Sequence, residues 1–444
     1  MKRRSSCSPV FLTLALILLL LPTVSSIQGQ ENKLGAIQFQ FDRESQVYSV
    51  GEKATITVTA ATKEGTPVNS GTLTITLTND GRDKICEPLV FDLSKDNPAT
   101  INKGLDFPGF MQILAIAKAE GEKEISALAG TAFDPEKIEP GLPAPDDFDE
   151  FWARGKEEVR ALDLDLKQTK IDSLSNDKRD AYSISFATVN AQRVYGYLSI
   201  PKNGSAPYPA LVNVPGAGPG IGPDAWLADQ GFVVLNMNVF PYECPLDKNE
   251  RQKLYDEYNA TLGERYCYHN GADREQYFFR APYLGIDRAI DWLAEQDYVD
   301  SSRMGYYGTS QGGASALILG GLNDHFCAIL SSVPALCDHS GLLKGRSPGW
   351  PRIVDFFKGD EKVLEATRYL DAVNFARKID SAKIDVTVGF IDATCSPSSV
   401  YAAFNSIPSE QKAIFHETKL GHQNGEQYKQ AFERLLDRVK NNGR

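Results

Sequence analysis

Two hydrophobic rhythms run along the chain, and one gives way to the other near residue 134. From Gly35 to about Ala132 apolar and polar residues alternate in short runs. Ile37-Gln38-Phe39-Gln40-Phe41, Ala54-Thr55-Ile56-Thr57-Val58-Thr59 and Leu73-Thr74-Ile75-Thr76-Leu77-Thr78 all do so. A period of two puts successive side chains on opposite faces of a strand. The runs are rich in β-branched residues and are broken by turns such as Asn79-Asp80-Gly81. This pattern predicts an all-β, immunoglobulin-like sandwich over residues 33–133, each sheet burying one face.

The stretch 134–145 is rich in proline and charge, which predicts a linker. Beyond it strands alternate with helices. Asp146 or Asp147 is placed to cap a helix whose Phe148, Phe151, Trp152, Val159 and Leu162 share one face. Alternation at Tyr182, Ile184 and Phe186, followed by Val194 to Ile200, predicts a hairpin. Short apolar strands are expected at Ala210 to Val214, Phe232 to Leu235, Met304 to Tyr307, Ala328 to Val333, Val386 to Ile391 and Ala413 to His416. Ile286, Ala289, Ile290 and Leu293 have the spacing of a helix between them. Strands alternating with helices make an α/β unit over 146–444, a mostly parallel sheet with helices on both faces.

The N-terminus bears on the compartment. Lys2, Arg3 and Arg4 precede an apolar run from Phe11 to Leu21, then Pro22 and the small residues Val24-Ser25-Ser26. A basic head, a short apolar core and a small-residue exit predict a cleavable signal peptide over 1–26 and a secreted or periplasmic protein. The run is shorter than the ~18–20 residues of a spanning helix, so no integral membrane span is expected after processing. The formal charge is −11, and loss of the three N-terminal cations makes the chain more acidic still. Without basic clusters it is no nucleic-acid binder, and an uncharged substrate suits it better than a polyanion.

Gly308-Thr309-Ser310-Gln311-Gly312 matches G-x-S-x-G, between the expected strand at Met304 and a small-residue helix starting at Ala314. That context predicts the nucleophile elbow of an α/β-hydrolase, with Ser310 exposed on a sharp strand-to-helix turn. A serine hydroxyl needs a base, and the base needs an acid to orient it. The hydrolase order is serine, acid, histidine. Of the five histidines, His269, His325 and His339 come too early and His416 lies inside a strand. His422, in the loop after the last strand, is the expected base. Asp392, at the end of the strand reaching Ile391, is the expected acid, with Asp338 as runner-up. The N–H of Gln311 and an N–H from the loop Pro215-Gly216-Ala217-Gly218-Pro219-Gly220, at Ala217, are expected to form the oxyanion hole.

No cofactor or metal is expected, because the cysteines show no C-x-x-C spacing and the chemistry is complete without one. Six cysteines lie beyond the signal segment. Cys337 and Cys395 follow consecutive strands, and export makes a disulfide between them possible. Cys244 with Cys267 is the next candidate pair.

From Asp147 to the C-terminus the chain resembles the acetyl xylan esterase and cephalosporin C deacetylase family. The resemblance rests on Asp149-Glu150-Phe151-Trp152, the elbow through Gly313, and Ile391-Asp392 followed by Pro397-Ser398-Ser399-Val400-Tyr401-Ala402-Ala403-Phe404-Asn405, with Gly421-His422 at the end. It implies a metal-independent serine esterase that removes acetyl groups from xylan oligosaccharides and other small acetylated compounds, with Ser310, Asp392 and His422 in the positions of the family's triad. The sequence departs from the family at Pro215-Gly216-Ala217, at Asn238-Val239-Phe240-Pro241-Tyr242 and at His422-Gln423.

Two other functions fit parts of the pattern. An oligopeptidase-type serine peptidase shares the triad order, but its β-propeller needs about 40 residues per blade, more than 33–133 can supply. A non-catalytic carbohydrate-binding protein would not need the Ser, Asp and His set, and the β unit has no tryptophan to stack on sugars.

Overall fold

The structure is a computed structural model that describes residues 34–442 apart from residue 120. The expected signal peptide lies outside the described residues.

The first part of the chain folds into two sheets over one core. Ala36–Phe41, Ala54–Ala61 and Ala99–Lys103 form an antiparallel three-stranded sheet. Thr72–Asn79, Gly109–Lys118 and Ile125–Phe133 form the antiparallel centre of the other. Burial alternates residue by residue along Thr72–Asn79 and over residues 54–60 of Ala54–Ala61, as the sequence period requires. Ile56 and Val58 from one sheet meet Leu73, Ile75, Leu77 and Ile113 from the other.

The segment expected to be a linker is packed against the rest of the protein. Ile138 is buried, the Gly141 N–H donates to Asp338, and the Leu142 N–H donates to the Ser340 hydroxyl.

The remaining strands form one nine-stranded sheet. Lys167–Lys170, Arg179–Thr188, Gln192–Pro201 and Val233–Met237 pair antiparallel in that order. From Val233–Met237 onward the sheet is parallel, through Tyr208–Asn213, Val299–Thr309, Phe326–Ser332, Lys383–Gly389 and Lys412–Glu417. The central strands are apolar on both faces because both are covered. Ala210, Val212 and Tyr306 pack with Ile290 and Leu317 of the helices Arg280–Ala294 and Gln311–Leu322. Their neighbours Leu211 and Tyr307 point the other way, toward Ala431 and Leu435 of the helix Glu426–Asp437.

Two local expectations differ. The helix Phe148–Arg160 begins after Asp147, whose side chain makes no cap; the carboxylate is taken by the Tyr369 hydroxyl and Arg274. Leu162 lies beyond the helix and is exposed. The helix Lys248–Leu262, in the insert after Val233–Met237, buries none of its residues.

Candidate active site

Ser310 stands where the strand Val299–Thr309 turns into the helix Gln311–Leu322, with φ 61° and ψ −119°. A non-glycine residue at positive φ is strained and persists only where its surroundings over-determine it. Here they do. The Ser310 N–H donates to the Ser332 carbonyl, and the Ser310 carbonyl accepts from Ala314 and Ala335. The flanking glycines are required by contact: a Cβ on Gly308 would fall 2.3 Å from the Gly312 carbonyl oxygen, and one on Gly312 would fall 2.2 Å from that of Val214.

Three side chains meet at this turn. The Ser310 Oγ lies 2.8 Å from His422 Nε2, and His422 Nδ1 lies 2.8 Å from Asp392 Oδ2. With the proton on Nδ1, facing the carboxylate, Nε2 is left to accept from the Ser310 hydroxyl. Asp392 is buried, and its other oxygen accepts the N–H groups of Thr394 and Cys395 at 2.8 and 2.9 Å. The carboxylate is thereby fixed in rotation as well as position. His422 is partly open to solvent, so a substrate can reach the serine from that side.

The residues expected to hold an oxyanion lie on either side of Ser310. Gln311 is the first residue of its helix, and first-turn N–H groups have no partner within a helix. Its side chain is buried and accepts the Tyr266 hydroxyl at 2.5 Å. The loop Pro215–Gly220 borders Ser310 at Gly216, where an added Cβ would stand 3.8 Å from that of Ser310. Ala217 follows, exposed.

The other histidines are elsewhere. His269 pairs with Glu264 and His325 with Asp291. His416 Nε2 lies 2.6 Å from the Tyr401 hydroxyl, and burial lowers its pKa. His339 is fully buried with no hydrogen-bond partner at either ring nitrogen, and burial takes it down to about 4. Asp338 does not reach the site; Arg346 holds it.

The Cys337–Cys395 disulfide that the sequence leaves possible is not formed, and Cys244 and Cys267 are also free thiols. Cys337 donates to the Ala335 carbonyl at 3.1 Å. Burial, then the nearby Asp392, pushes the Cys395 thiol well above its usual range. Cys395 lies beside Asp392 and His422. Its sulfur, with Asp392 and His422, makes a group of ligand atoms within 4.8 Å of one another. A protonated thiol is a poor metal ligand, and the other two groups already serve each other.

Sequence reasoning missed Asn424. Its amide donates to Thr309 Oγ1 at 3.0 Å, and its oxygen accepts the Ser332 hydroxyl at 2.7 Å. It ties the histidine loop to the strands on either side of the elbow. Its place two residues beyond His422 was the only available signal.

The family model described as "Acetyl xylan esterase (AXE1)" matches residues 136–437, leaving the two-sheet unit outside the match. Acetyl esterase Axe7A of Xylanibacter ruminicola is 28% identical over 328 residues, covering 72% of each chain. Two solved structures share the fold. An acetyl xylan esterase from Paenibacillus sp. R4 has a TM-score of 0.59 at 24% identity, covering 68% of this chain and 98% of its own. Acetyl xylan esterase 1 from Thermoanaerobacterium sp. also has a TM-score of 0.59, at 22% identity, covering 69% and 97%. The nine-stranded sheet is thus of the α/β-hydrolase type. The chain belongs to the acetyl xylan esterase family and is a carboxylic ester hydrolase.

Proposed function

We propose that the protein is a secreted or periplasmic serine esterase that removes acetyl groups from xylan-derived or other acetylated carbohydrates. The observation that carries this reading is the unbroken chain from Ser310 Oγ through His422 to Asp392, with 2.8 Å at each link. Ser310 is the nucleophile, His422 the base, and Asp392 the group that fixes the imidazole tautomer. Gln311 and Ala217 offer the N–H groups of the oxyanion hole.

As Ser310 Oγ attacks the acetyl carbonyl carbon, its proton passes to His422 Nε2. The carbonyl electron pair moves onto oxygen, where the two N–H groups meet it. Collapse of the intermediate breaks the ester bond, and the sugar oxygen leaves with the proton from His422. Water then attacks the acetyl-serine with His422 again as base, releasing acetate and restoring the serine hydroxyl. The steps need no metal or cofactor. Removing an acetyl group from a neutral sugar suits an acidic protein, which would repel a polyanion.

Residues 33–133 are read as an immunoglobulin-like sandwich, 134–145 as the connection and 146–444 as the catalytic unit. Two sheets sharing one core support the first reading. Export rests on the basic head and apolar run of residues 1–26.

The test is acetate release from acetylated xylo-oligosaccharides, beside hydrolysis of a peptide anilide. A serine-directed phosphonate should label Ser310 with loss of activity. Anilide cleavage at a rate matching ester cleavage would favour a peptidase, and labelling elsewhere would remove Ser310 from its role.

A further inference from the structure

The turn Asn79-Asp80-Gly81 belongs to the two-sheet unit, between the strands Thr72–Asn79 and Asp83–Lys84. Yet Asp80 reaches into the catalytic unit. It is 3% exposed, and its Oδ2 accepts the Ser398 N–H at 3.1 Å, across 318 positions of sequence. Ser398 lies in the first turn of the helix Pro397–Ser406. First-turn N–H groups of a helix need an outside acceptor, normally the side chain just before the helix. The residue in that place, Ser396, makes no such bond and gives its hydroxyl to the Ser347 carbonyl instead. The helix takes its cap from the β unit.

This helix directly follows the turn that carries Asp392. The turn is bonded internally from Asp392 Oδ1 to Thr394 and Cys395, and the Ser399 and Val400 N–H groups reach back to the Ser396 carbonyl. The β unit also holds the other end of the turn. Phe110 packs edge-on against Phe390, ring centroids 5.1 Å apart, and touches Tyr401 of the helix. Gly130 lies so close to Phe390 that a Cβ there would fall 2.3 Å from the Phe390 carbonyl oxygen. Strand exit and helix entry, on either side of Asp392, are thus both gripped by the same unit.

We infer that Asp80 is a positioning residue for the esterase reaction: by capping the helix Pro397–Ser406 from the β unit, it holds the Asp392 turn in register with His422. The inference rests on the reading of Asp392 as the catalytic acid. Stability alone does not account for a carboxylate in this place. Burial raises Asp80 to about 7, against the hydrogen bond from the Ser398 N–H that favours the charged form, so at neutral pH the group works against folding. A hydrogen-bond acceptor aimed at the helix start is what the site gains in return.

Asp80 has φ 51°, a conformation open to glycine and asparagine without strain, which makes two clean variants available. Asp80→Gly keeps the turn and removes the acceptor. Asp80→Asn keeps an acceptor oxygen of the same reach. In the full chain, Asp80→Gly should lower kcat for an aryl acetate about tenfold with KM within about twofold, because the acid is misplaced and substrate contacts are not. Asp80→Asn should stay within about threefold of wild type in both. If Asp80→Gly does not fold, Asp80→Ser carries the same test, since its hydroxyl falls short of Ser398. A removal variant with wild-type kcat, an equal loss in Asp80→Asn, or a change in KM alone would overturn the inference. Asp392→Asn is measured in parallel. If it stays active, the reading of the acid fails; if it is inactive while Asp80→Gly is not, only the positioning role fails.

Discussion

Asp338 and Arg346 form a buried, two-pronged ion pair: Asp338 Oδ2 accepts Arg346 Nη2 at 2.7 Å and Nε at 3.1 Å. The other carboxylate oxygen accepts the Gly141 N–H, so Asp338 also ties the 134–145 segment to the catalytic unit. By chain order alone this residue competes with Asp392 for the role of acid. The geometry divides the two, since Asp392 faces His422 and Asp338 faces an arginine.

Their asparagine variants should therefore fail in opposite ways. Breaking a buried ion pair from one side leaves an uncompensated charge and costs about 3–5 kcal/mol. Asp338→Asn should lower the melting temperature by many degrees while the folded fraction keeps near-wild-type kcat. Asp392→Asn should melt close to wild type and lose on the order of 10⁴ in kcat, because the imidazole favours the wrong tautomer. Melting curves with active-site titration of the folded fraction separate the cases; a larger kcat loss per folded molecule in Asp338→Asn would reverse the assignment.

How far the sequence spoke depended on whether a feature was local. The alternation at Ala54–Thr59 became alternating burial because a strand's faces are set by neighbouring residues. The elbow was legible because strand, glycines and helix occupy a few consecutive positions. His422 and Asp392 could be placed through chain order once Ser310 was chosen, and the structure brings all three together. Long-range contacts left no such trace. Nothing near Asp80 announces a bond to Ser398, and the proline-rich composition of 134–145 hides the fact that its backbone bonds to Asp338 and Ser340. Cys337 and Cys395 do follow neighbouring strands, but the Cys337 thiol donates to the Ala335 carbonyl and the Cys395 sulfur lies beside Asp392 and His422. The helix Lys248–Leu262 buries no residue fully and lays only Tyr255, Tyr258 and Leu262 against the core, a stripe too thin to stand out among its charged and polar positions.

Ser310→Ala should lose ~10⁴–10⁶ in turnover, since the members of such a set act as a unit. The hydroxyl is at the surface of the turn, whose backbone is held by Ser332, Ala314 and Ala335, so the fold should persist. Circular dichroism and acetate release on the same sample test both halves. Turnover within tenfold of wild type would remove Ser310 from the chemistry.

Chelators should leave the activity unchanged. The group Asp392, Cys395 and His422 has a buried thiol that resists ionisation and an imidazole already committed to the carboxylate. A metal there would have to displace the contact that orients His422. Prolonged dialysis against EDTA followed by assay, with and without added zinc, checks this. Activity lost on dialysis and restored by zinc would contradict it.

The buried acids Asp80 and Asp371 should make stability fall as the pH rises from about 4 to about 7. Burial raises Asp80 to about 7, and burial followed by the nearby Asp338 does the same to Asp371. A carboxyl whose folded pKa exceeds its unfolded value near 4 binds its proton more tightly in the folded state. Its contribution is complete below the unfolded pKa and is lost as the pH passes the folded one. Each shift corresponds to at most about 4 kcal/mol. His339 acts in the opposite sense. Burial lowers it to about 4, so it disfavours folding only as the pH falls below its unfolded value of about 6.5, and there it offsets part of the two acids' effect. The steepest decline should therefore come near pH 6.5–7. Asp80→Asn removes one share of the decline and keeps an acceptor for Ser398, so it should melt above wild type at pH 8 and close to it at pH 4.5. Asp371→Asn should not gain in this way. Asp371 accepts the N–H groups of Asp338 and Val373 on one oxygen and of His339 on the other, and an amide can serve only one of those sides. Thermal denaturation of the three proteins from pH 4 to pH 8 gives the comparison; an Asp80→Asn protein less stable than wild type at pH 8 would show that the carboxylate is favoured where it is buried.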